Sequence, residues 1–317
     1  MDFPSHFGLT FTPTIHTHAE GPTLPENNKP SSSFVVVVTG AGKGLGYHIS
    51  LAYARAGATG ICITSRTQSD LDALSKELRS INPKIDVLAE ACDASNPDAV
   101  KSLAETVARK FSGQLDVVIA NAGVISKYIT HGSDNKTDEQ TNRRLPVGII
   151  EDDDFKRVID INLLGSYYVA KYFTPALLSK ANPSTLRAYI VITSMAAHAA
   201  QSSFVPVAYN MSKLANIRMA EHMHNDHSQD GLLAFAVHPG AVLTPQTEFH
   251  STKEGDSWDA LLTDDIGLCG GFLTWLTKER REWLSGRYLA AAWDVDELET
   301  MQSEIMEHDK LKFTMVV

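Results

Sequence analysis

An apolar run, Phe34-Val35-Val36-Val37-Val38, passes straight into Thr39-Gly40-Ala41-Gly42-Lys43-Gly44-Leu45-Gly46. A helical pattern follows at once, with Ile49, Ala52, Tyr53 and Ala56 on one face before Gly57. This succession constrains the chain more than any other feature. An unbroken apolar strand fits a position buried on both sides. Glycines let main chain approach main chain and ligand, while the free N–H groups and dipole of a helix start favour an anion. The reading is a site for a phosphate-bearing nucleotide built on Gly40, Lys43, Gly44, Leu45 and Gly46. A glycine-rich turn alone is a weak signal; the strand before it and the helix after it supply the context.

Strand-like runs recur at 34–39, 60–64, 86–90, 115–120, 188–193, 232–238 and 287–291, with helical patterns between them. Such alternation predicts a single α/β domain, a doubly wound parallel sheet of about seven strands with ligands at the strands' carboxyl ends. A chain of 317 residues is long enough for one such domain. Asn96-Pro97 predicts an N-cap and first helical turn, and Ser69 with Asp72 predicts a capping box. Residues 1–33 carry five prolines and little periodicity, so they are expected to be an extension that wraps the domain or stays mobile. The catalytic domain then spans 34–317. Two long polar stretches, 125–150 and 244–263, follow strands and are expected to overhang the ligand face as substrate loops.

The formal net charge of −10 argues against a nucleic-acid partner. No apolar stretch is long enough to span a bilayer, and the start of the chain lacks the basic and apolar regions of a signal peptide. A cytoplasmic setting is therefore expected. Cys62, Cys92 and Cys269 lie too far apart for a zinc site or a disulfide framework, and Cys62 reads as a core thiol. His222, His224 and His227 sit on one helix, but His222 and His224 do not share a face; no metal site is expected.

Several further motifs stand in one order. Asp93 follows the third strand and Asn121-Ala122-Gly123 the fourth. Asn162 sits in Ile161-Asn162-Leu163-Leu164-Gly165, then come Tyr209-Asn210-Met211-Ser212-Lys213 and Pro239-Gly240 with Val242 and Thr244. Over about residues 34–292 the chain resembles the short-chain dehydrogenase/reductase family. The resemblance implies cofactor contacts at Asp93 to adenine, at Asn121 and Gly123, at Tyr209 and Lys213, and at Pro239, Gly240, Val242 and Thr244 to the nicotinamide carboxamide. It implies a catalytic tetrad of Asn162, Ser194, Tyr209 and Lys213. The position usually taken by the family's serine is Ala196; Ser194 stands two residues earlier at a strand end, which a two-residue insertion in 197–206 explains. Ser202 and Ser203 are the alternatives. The ending, from Trp283 to Leu298, resembles a branch common in filamentous fungi, whose members often serve natural-product pathways.

Carbonyl reduction needs a hydride donor at the carbonyl carbon and a proton donor at its oxygen. A free tyrosine, with a pKa of about 10, gives up its proton reluctantly near neutrality. Lys213 lies one helical turn beyond Tyr209. A charge about 4 Å away at an effective dielectric of about 20 contributes on the order of 4 kcal/mol. That is enough to lower a pKa by up to about three units. Ser194 is expected to bind the substrate oxygen, and Lys213 also the nicotinamide ribose. The resemblance implies that Asn162 binds a water passing protons to Lys213.

Charge at the second strand's end bears on the cofactor. An NAD site of this fold wants an acid there to grip the ribose hydroxyls. This chain has Ile63-Thr64-Ser65-Arg66 and no acid until Asp70. Arg66 as a fork and Lys43 as a point charge suit a 2′-phosphate, so NADP(H) is expected over NAD(H). The plainer alternative leaves Arg66 solvated and Lys43 facing the pyrophosphate.

His198 is a pocket or structural residue, and His238 a strand-end hydrogen-bonding one. Phe204, Phe249 and Trp258 are candidate apolar pocket walls. Residues 313–317 are apolar for a terminus and are expected to dock on their own fold or on a second subunit. The expected activity is an NADP(H)-dependent interconversion of a ketone and a secondary alcohol on a small organic molecule, by a homodimer or homotetramer as the resemblance implies. The alternative is a non-redox isomerase, cyclase or dehydratase using the same Tyr209–Lys213 pair.

Overall fold

The computed structural model describes residues 4–30, 33–126, 154–179, 186–201, 205–248 and 261–315, and the backbone of a short antiparallel pair, β5 (Thr137–Asp138) with β6 (Arg143–Arg144). The main sheet has seven strands. These are β1 (Val35–Thr39), β2 (Gly60–Ser65), β3 (Asp86–Ala91), β4 (Val117–Ala120), β7 (Ala188–Ile192), β8 (Leu233–His238) and β9 (Tyr288–Ala290). Their spatial order is β3-β2-β1-β4-β7-β8-β9, and every pairing is parallel. The expected doubly wound parallel sheet is thus present, with all seven strand-like runs in it.

All five residues of β1 are buried, because helices cover both faces of the sheet. Those helices include α1 (Gly44–Ala56), α2 (Gln68–Ile81), α3 (Pro97–Lys110), α5 (Gly165–Leu178), α6 (Val207–His227) and α8 (Leu268–Lys278). Helix α1 packs on α2 and α8, and α3 on α5. Strand order reverses between β1 and β4, which opens a crevice at their carboxyl ends. Cys62 is buried in β2 and burial pushes its thiol pKa up, as fits a core thiol.

Local signals fared unequally. Asn96 caps α3, accepting from Asp98 N at 3.0 Å and Ala99 N at 3.1 Å, with Pro97 in the first turn. The capping box at Ser69 does not form. Helix α2 starts two residues earlier, with Thr67 at its N-cap, and Asp72 accepts instead from Gln68 Nε2 at 2.9 Å.

The extension wraps the domain. Trp293 Nε1 donates to the Gly8 carbonyl at 2.8 Å, and Thr14 binds Glu297 through its N–H at 2.8 Å and its hydroxyl at 2.7 Å. The His16 N–H reaches the Ala292 carbonyl at 2.7 Å, and its ring bridges Glu20 at 2.6 Å and Asp294 at 2.8 Å. At the other end of the chain, Phe313 docks on its own fold. It stacks on His198 at 4.9 Å between ring centroids, and its carbonyl accepts from Arg218 at 2.7 Å.

Candidate active site

Why the first turn needs glycine is visible in the packing. Gly40 has φ +67°, and a β-carbon there would lie 2.8 Å from the Ala122 Cα. A β-carbon on Gly46 would lie 2.4 Å from the Gly40 carbonyl oxygen and 2.5 Å from Asn121 Nδ2. Asn121 holds this geometry. Its Nδ2 donates to the Thr39 carbonyl at 2.9 Å and the Gly40 carbonyl at 3.3 Å, and its N–H donates to Thr39 Oγ1 at 3.1 Å. The end of β4 thereby braces the turn that follows β1.

A cleft of about 470 Å³ lies at the carboxyl ends of the strands. It runs from Gly40, Lys43, Gly44 and Leu45 past Arg66 and Asp93 to Asn121, Gly123, Tyr209, Lys213, Pro239 and Thr244. Gly46, Asn162, Ser194, Gly240 and Val242 are not among its lining residues. Gly240 has φ +99°, and the Ala241 N–H donates to Asp264 at 2.6 Å. Val242 bridges to Asp264 from a buried position. Asp93 accepts from the Ser95 N–H at 2.9 Å and hydroxyl at 2.7 Å, which fixes its carboxylate at the rim. Arg66 is exposed at the cleft, and Lys43 Nζ lies 3.5 Å from Asp70. The tight glycine turn at a helix start, with cations at one end and the Tyr209–Lys213 pair at the other, fits an elongated nucleotide cofactor.

Tyr209 and Lys213 occupy successive turns of α6, with Lys213 Nζ 5.5 Å from the Tyr209 ring centre. Lys213 is buried, its ammonium donates to the Ile192 carbonyl at 2.8 Å, and burial pushes its pKa down to about 8. Ser194 follows β7 by two residues, accepts from the Ala196 N–H at 3.1 Å and stands close enough to the Tyr209 side chain to lower the phenol pKa against the larger effect of burial. The short helical turn Met195–His198 after it is stapled to α6, because Asn210 Nδ2 donates to the Ala196 carbonyl at 2.6 Å and also to that of Ala199. Ser194 is therefore beside the tyrosine; Ser202 and Ser203 lie outside the described residues, as do Phe204, Phe249 and Trp258.

One electrostatic expectation is corrected. Burial pushes the Tyr209 phenol up and the Ser194 hydrogen bond opposes it; the net direction is upward. The burial that disfavours the Lys213 charge disfavours the phenolate as well.

Asn162 sits in a π-helical turn, Asp160–Leu164, between α4 (Phe155–Ile159) and α5. Such a turn re-aims the backbone within an otherwise regular helix. The Asn162 side chain accepts from the Val124 N–H at 2.7 Å, and its Nδ2 donates to the Val124 carbonyl at 2.8 Å and to Ser212 Oγ at 3.1 Å. Its main-chain carbonyl accepts from Ser166 Oγ at 2.8 Å and Asn216 Nδ2 at 3.1 Å. Protein groups thus engage both ends of the Asn162 amide and its main-chain carbonyl, which braces the turn.

Two residues went unnoticed in the sequence. Asn216, three residues beyond Lys213, is buried and its Oδ1 has no partner, the state of a group that bonds an internal water. Gln246, in α7 (Pro245–Glu248), lines the cleft. With its amide oriented by its neighbours it donates to the Gly123 carbonyl at 3.2 Å and accepts from the Ile125 N–H at 2.5 Å. The Tyr-x-x-x-Lys helix was a signal for Asn216; nothing local marked Gln246.

His198 is packed among Phe7, Tyr288 and Phe313, with its pKa pushed down to about 4 by burial and by His6. His238 is buried at the end of β8, pushed down to about 3, with Nδ1 unpartnered; its carbonyl, not its ring, takes the Ala291 N–H at 2.9 Å. His224 meets Ser285 at 2.9 Å and His227 meets Asp230 at 3.2 Å. Among the described residues no helix is long and apolar enough to cross a membrane.

A family profile described as short chain dehydrogenase matches residues 34–255. The chain is 37% identical to short chain dehydrogenase pgmD of Aspergillus terreus, over 99% of this chain and 96% of that one. It is 32% identical to short chain dehydrogenase mpl6 of Monascus purpureus over the whole of both chains. The crystal structure of a short-chain type dehydrogenase/reductase from Mycobacterium marinum superposes with a TM-score of 0.65 at 21% identity, over 82% of this chain and 94% of that one, a likeness of fold. With its seven-stranded parallel sheet and nucleotide cleft, the chain belongs to the short-chain dehydrogenase family, oxidoreductases that use nicotinamide cofactors.

Proposed function

We propose that this enzyme transfers a hydride between NADP(H) and the ketone or secondary alcohol of a small organic molecule, in fungal secondary metabolism. The observation that carries the reading is Tyr209 lining the cleft, beside Ser194 and one helical turn from Lys213. When bound, the nicotinamide supplies or accepts the hydride. Ser194 and Tyr209 hold the substrate oxygen, and in reduction the Tyr209 hydroxyl donates its proton to that oxygen as the carbonyl carbon gains the hydride. Lys213 holds its charge beside the phenol, where it stabilises the phenolate left behind, and reaches the nicotinamide ribose. Asn162 fixes Val124 and Ser212 around Lys213. Gln246 ties α7 to Gly123 and Ile125 across the cleft.

The preference for NADP(H) rests on Arg66 and Lys43 at the adenosine end and on the lack of an acid at the end of β2. Asp70 faces Lys43 and tempers its charge. We also propose a homo-oligomer, since Phe155, Leu164, Tyr167 and Met211 leave large apolar side chains exposed on α4, the π turn, α5 and α6. Sedimentation analysis tests that part; a monomer at micromolar concentration would refute it.

The experiment is incubation of the enzyme with NADPH deuterated at the transferable position and a panel of carbonyl metabolites. Mass spectrometry reads the products. Deuterium in a new alcohol is the expected result. A substrate consumed without deuterium gain, with an oxidative control on NADP⁺ also silent, moves the assignment to an isomerase, cyclase or dehydratase working through Tyr209 and Lys213.

A further inference from the structure

We infer that the N-terminal extension forms one wall of the substrate side of the site, and that Leu9 is the residue through which it selects ketones bearing an apolar aryl or branched alkyl flank. The inference rests on the reading of Tyr209 as the proton donor. Phe7, Ala196, Ala199 and Val205 are buried together in an apolar cluster separate from the main core, and Leu9, Met195 and Tyr209 pack against it. Of these seven residues only Tyr209 also lines the nucleotide cleft. Tyr209 therefore stands between two environments, the cofactor on one side and an apolar patch on the other. Met195 directly follows Ser194, so both groups that hold the substrate oxygen border this patch.

The extension is held in place rather than lying loosely there. Gly8 has φ +70°, and its carbonyl accepts from Trp293 Nε1 at 2.8 Å, which turns the chain between Phe7 and Leu9. Phe11 packs on Trp293 at 5.1 Å between ring centroids, and Thr14 and His16 secure the following residues to Glu297 and Asp294. Phe7 is the anchor, 7% exposed, whereas Leu9 keeps part of its side chain open. The rings of His6 and His198 flank Phe7 at 5.0 and 6.1 Å between centroids. A wall fixed beforehand binds an apolar flank without a further ordering cost. It also keeps water from the phenol, where charge develops.

The test uses the full chain and its Leu9→Ala, Leu9→Phe and Leu9→Asp variants. Acetone, acetophenone and 2-acetonaphthone are the probes, assayed for NADPH-dependent reduction. Binding of 2-acetonaphthone to the enzyme–NADP⁺ complex is measured separately by calorimetry. Leu9→Ala is expected to lower kcat/KM for 2-acetonaphthone about ten-fold relative to acetone, chiefly through KM. Leu9→Phe is expected to shift the ratio among the three ketones in a different sense, and Leu9→Asp to abolish 2-acetonaphthone binding. The Kd for NADPH and the Tm stay near wild type, whereas Phe7→Ala lowers the Tm. Unchanged ketone ratios in both Leu9→Ala and Leu9→Phe overturn the wall. If the wild type reduces none of the ketones yet binds 2-acetonaphthone in a Leu9-dependent way, the redox reading fails and the wall stands. No binding by the wild type, or binding indifferent to Leu9, overturns the wall whatever the reaction.

Discussion

Lys213 Nζ lies 5.5 Å from the centre of the Tyr209 ring, and its ammonium is held by the main-chain carbonyl of Ile192 at 2.8 Å. Burial pushes the lysine pKa down to about 8 from an ordinary value near 10.5. The unfolded chain therefore binds more protons than the folded one between about pH 8 and 10.5, and stability rises with pH across that window. Below about pH 8 the charged lysine costs the fold its full desolvation penalty. Lys213→Met is expected to raise the Tm at pH 7 by a few degrees, with the gain shrinking above pH 8, while turnover falls at least about a thousand-fold. Thermal melts from pH 6 to 10 check the first part; a variant less stable than wild type at pH 7 would show that the ammonium is a net stabiliser.

Tyr209→Phe removes the proton donor and keeps the ring. Turnover is expected to fall by three orders of magnitude or more while the Kd for NADPH stays within about two-fold. Ser194→Ala loses the partner of that phenol and is expected to lose about ten- to a hundred-fold in kcat. Single-turnover absorbance at the nicotinamide band measures both, and near-normal turnover in Tyr209→Phe would end the assignment.

Gly46→Ala would put a methyl 2.4 Å from the Gly40 carbonyl oxygen and 2.5 Å from Asn121 Nδ2. Both contacts lie in the brace that shapes the turn, so relief requires moving main chain. Cofactor affinity is expected to drop at least about ten-fold and the Tm by several degrees. Fluorescence titration with NADPH measures the first.

Arg66→Ala tests the cofactor preference. Affinity for NADPH is expected to fall about ten-fold or more with that for NADH nearly unchanged, as for loss of a charge-assisted contact to a 2′-phosphate. Equal losses for the two cofactors would make Arg66 a solvated rim residue.

His16 is set between two carboxylates. Its pKa is raised: burial works against the charge, but Asp294 and Glu20 outweigh it. The folded state holds this proton more tightly than the unfolded state, so the stabilisation is complete below about pH 6.5 and is lost as pH rises through the raised folded value. His16→Gln is expected to lower the Tm at pH 5.5 and to match wild type at pH 9. Buried His198 and His238, pushed down to about 4 and about 3, act in the opposite sense and erode stability as pH falls from 6.5. His238→Phe should accordingly improve stability at pH 5.

The sheet was legible because each strand is short, apolar and bounded by turn residues, as Val35–Thr39 and Ala188–Ile192 illustrate. Tyr209, Lys213 and the glycines were legible because their roles depend on spacing along one element. Less local features were not. The π turn at Asp160–Leu164 looks like ordinary helix, since the preference of any one of its residues is too weak to mark an extra residue per turn. The Ser69 box failed because the helix begins two residues earlier, at Gln68, which leaves Ser69 inside it. Phe7 and Leu9 lie in a segment without periodicity, and their partners, from Met195 to Tyr209, lie more than half the chain away. The upward shift of Tyr209 depends on burial, which a four-residue spacing cannot disclose.

Thr14 and its partner Glu297 are 283 positions apart. At roughly 5–20 residues per second, a ribosome needs on the order of 15–60 s to travel between them. During that interval the Thr14 segment lacks the Glu297 and Trp293 partners that tie it down, although the cluster that receives Phe7 has already been made. A segment made 283 positions ahead of its partner is thus among the last to settle. An enzyme stalled or cut short before Trp293 would possess its cofactor cleft and its tyrosine, yet lack the tether that brings its own beginning to them.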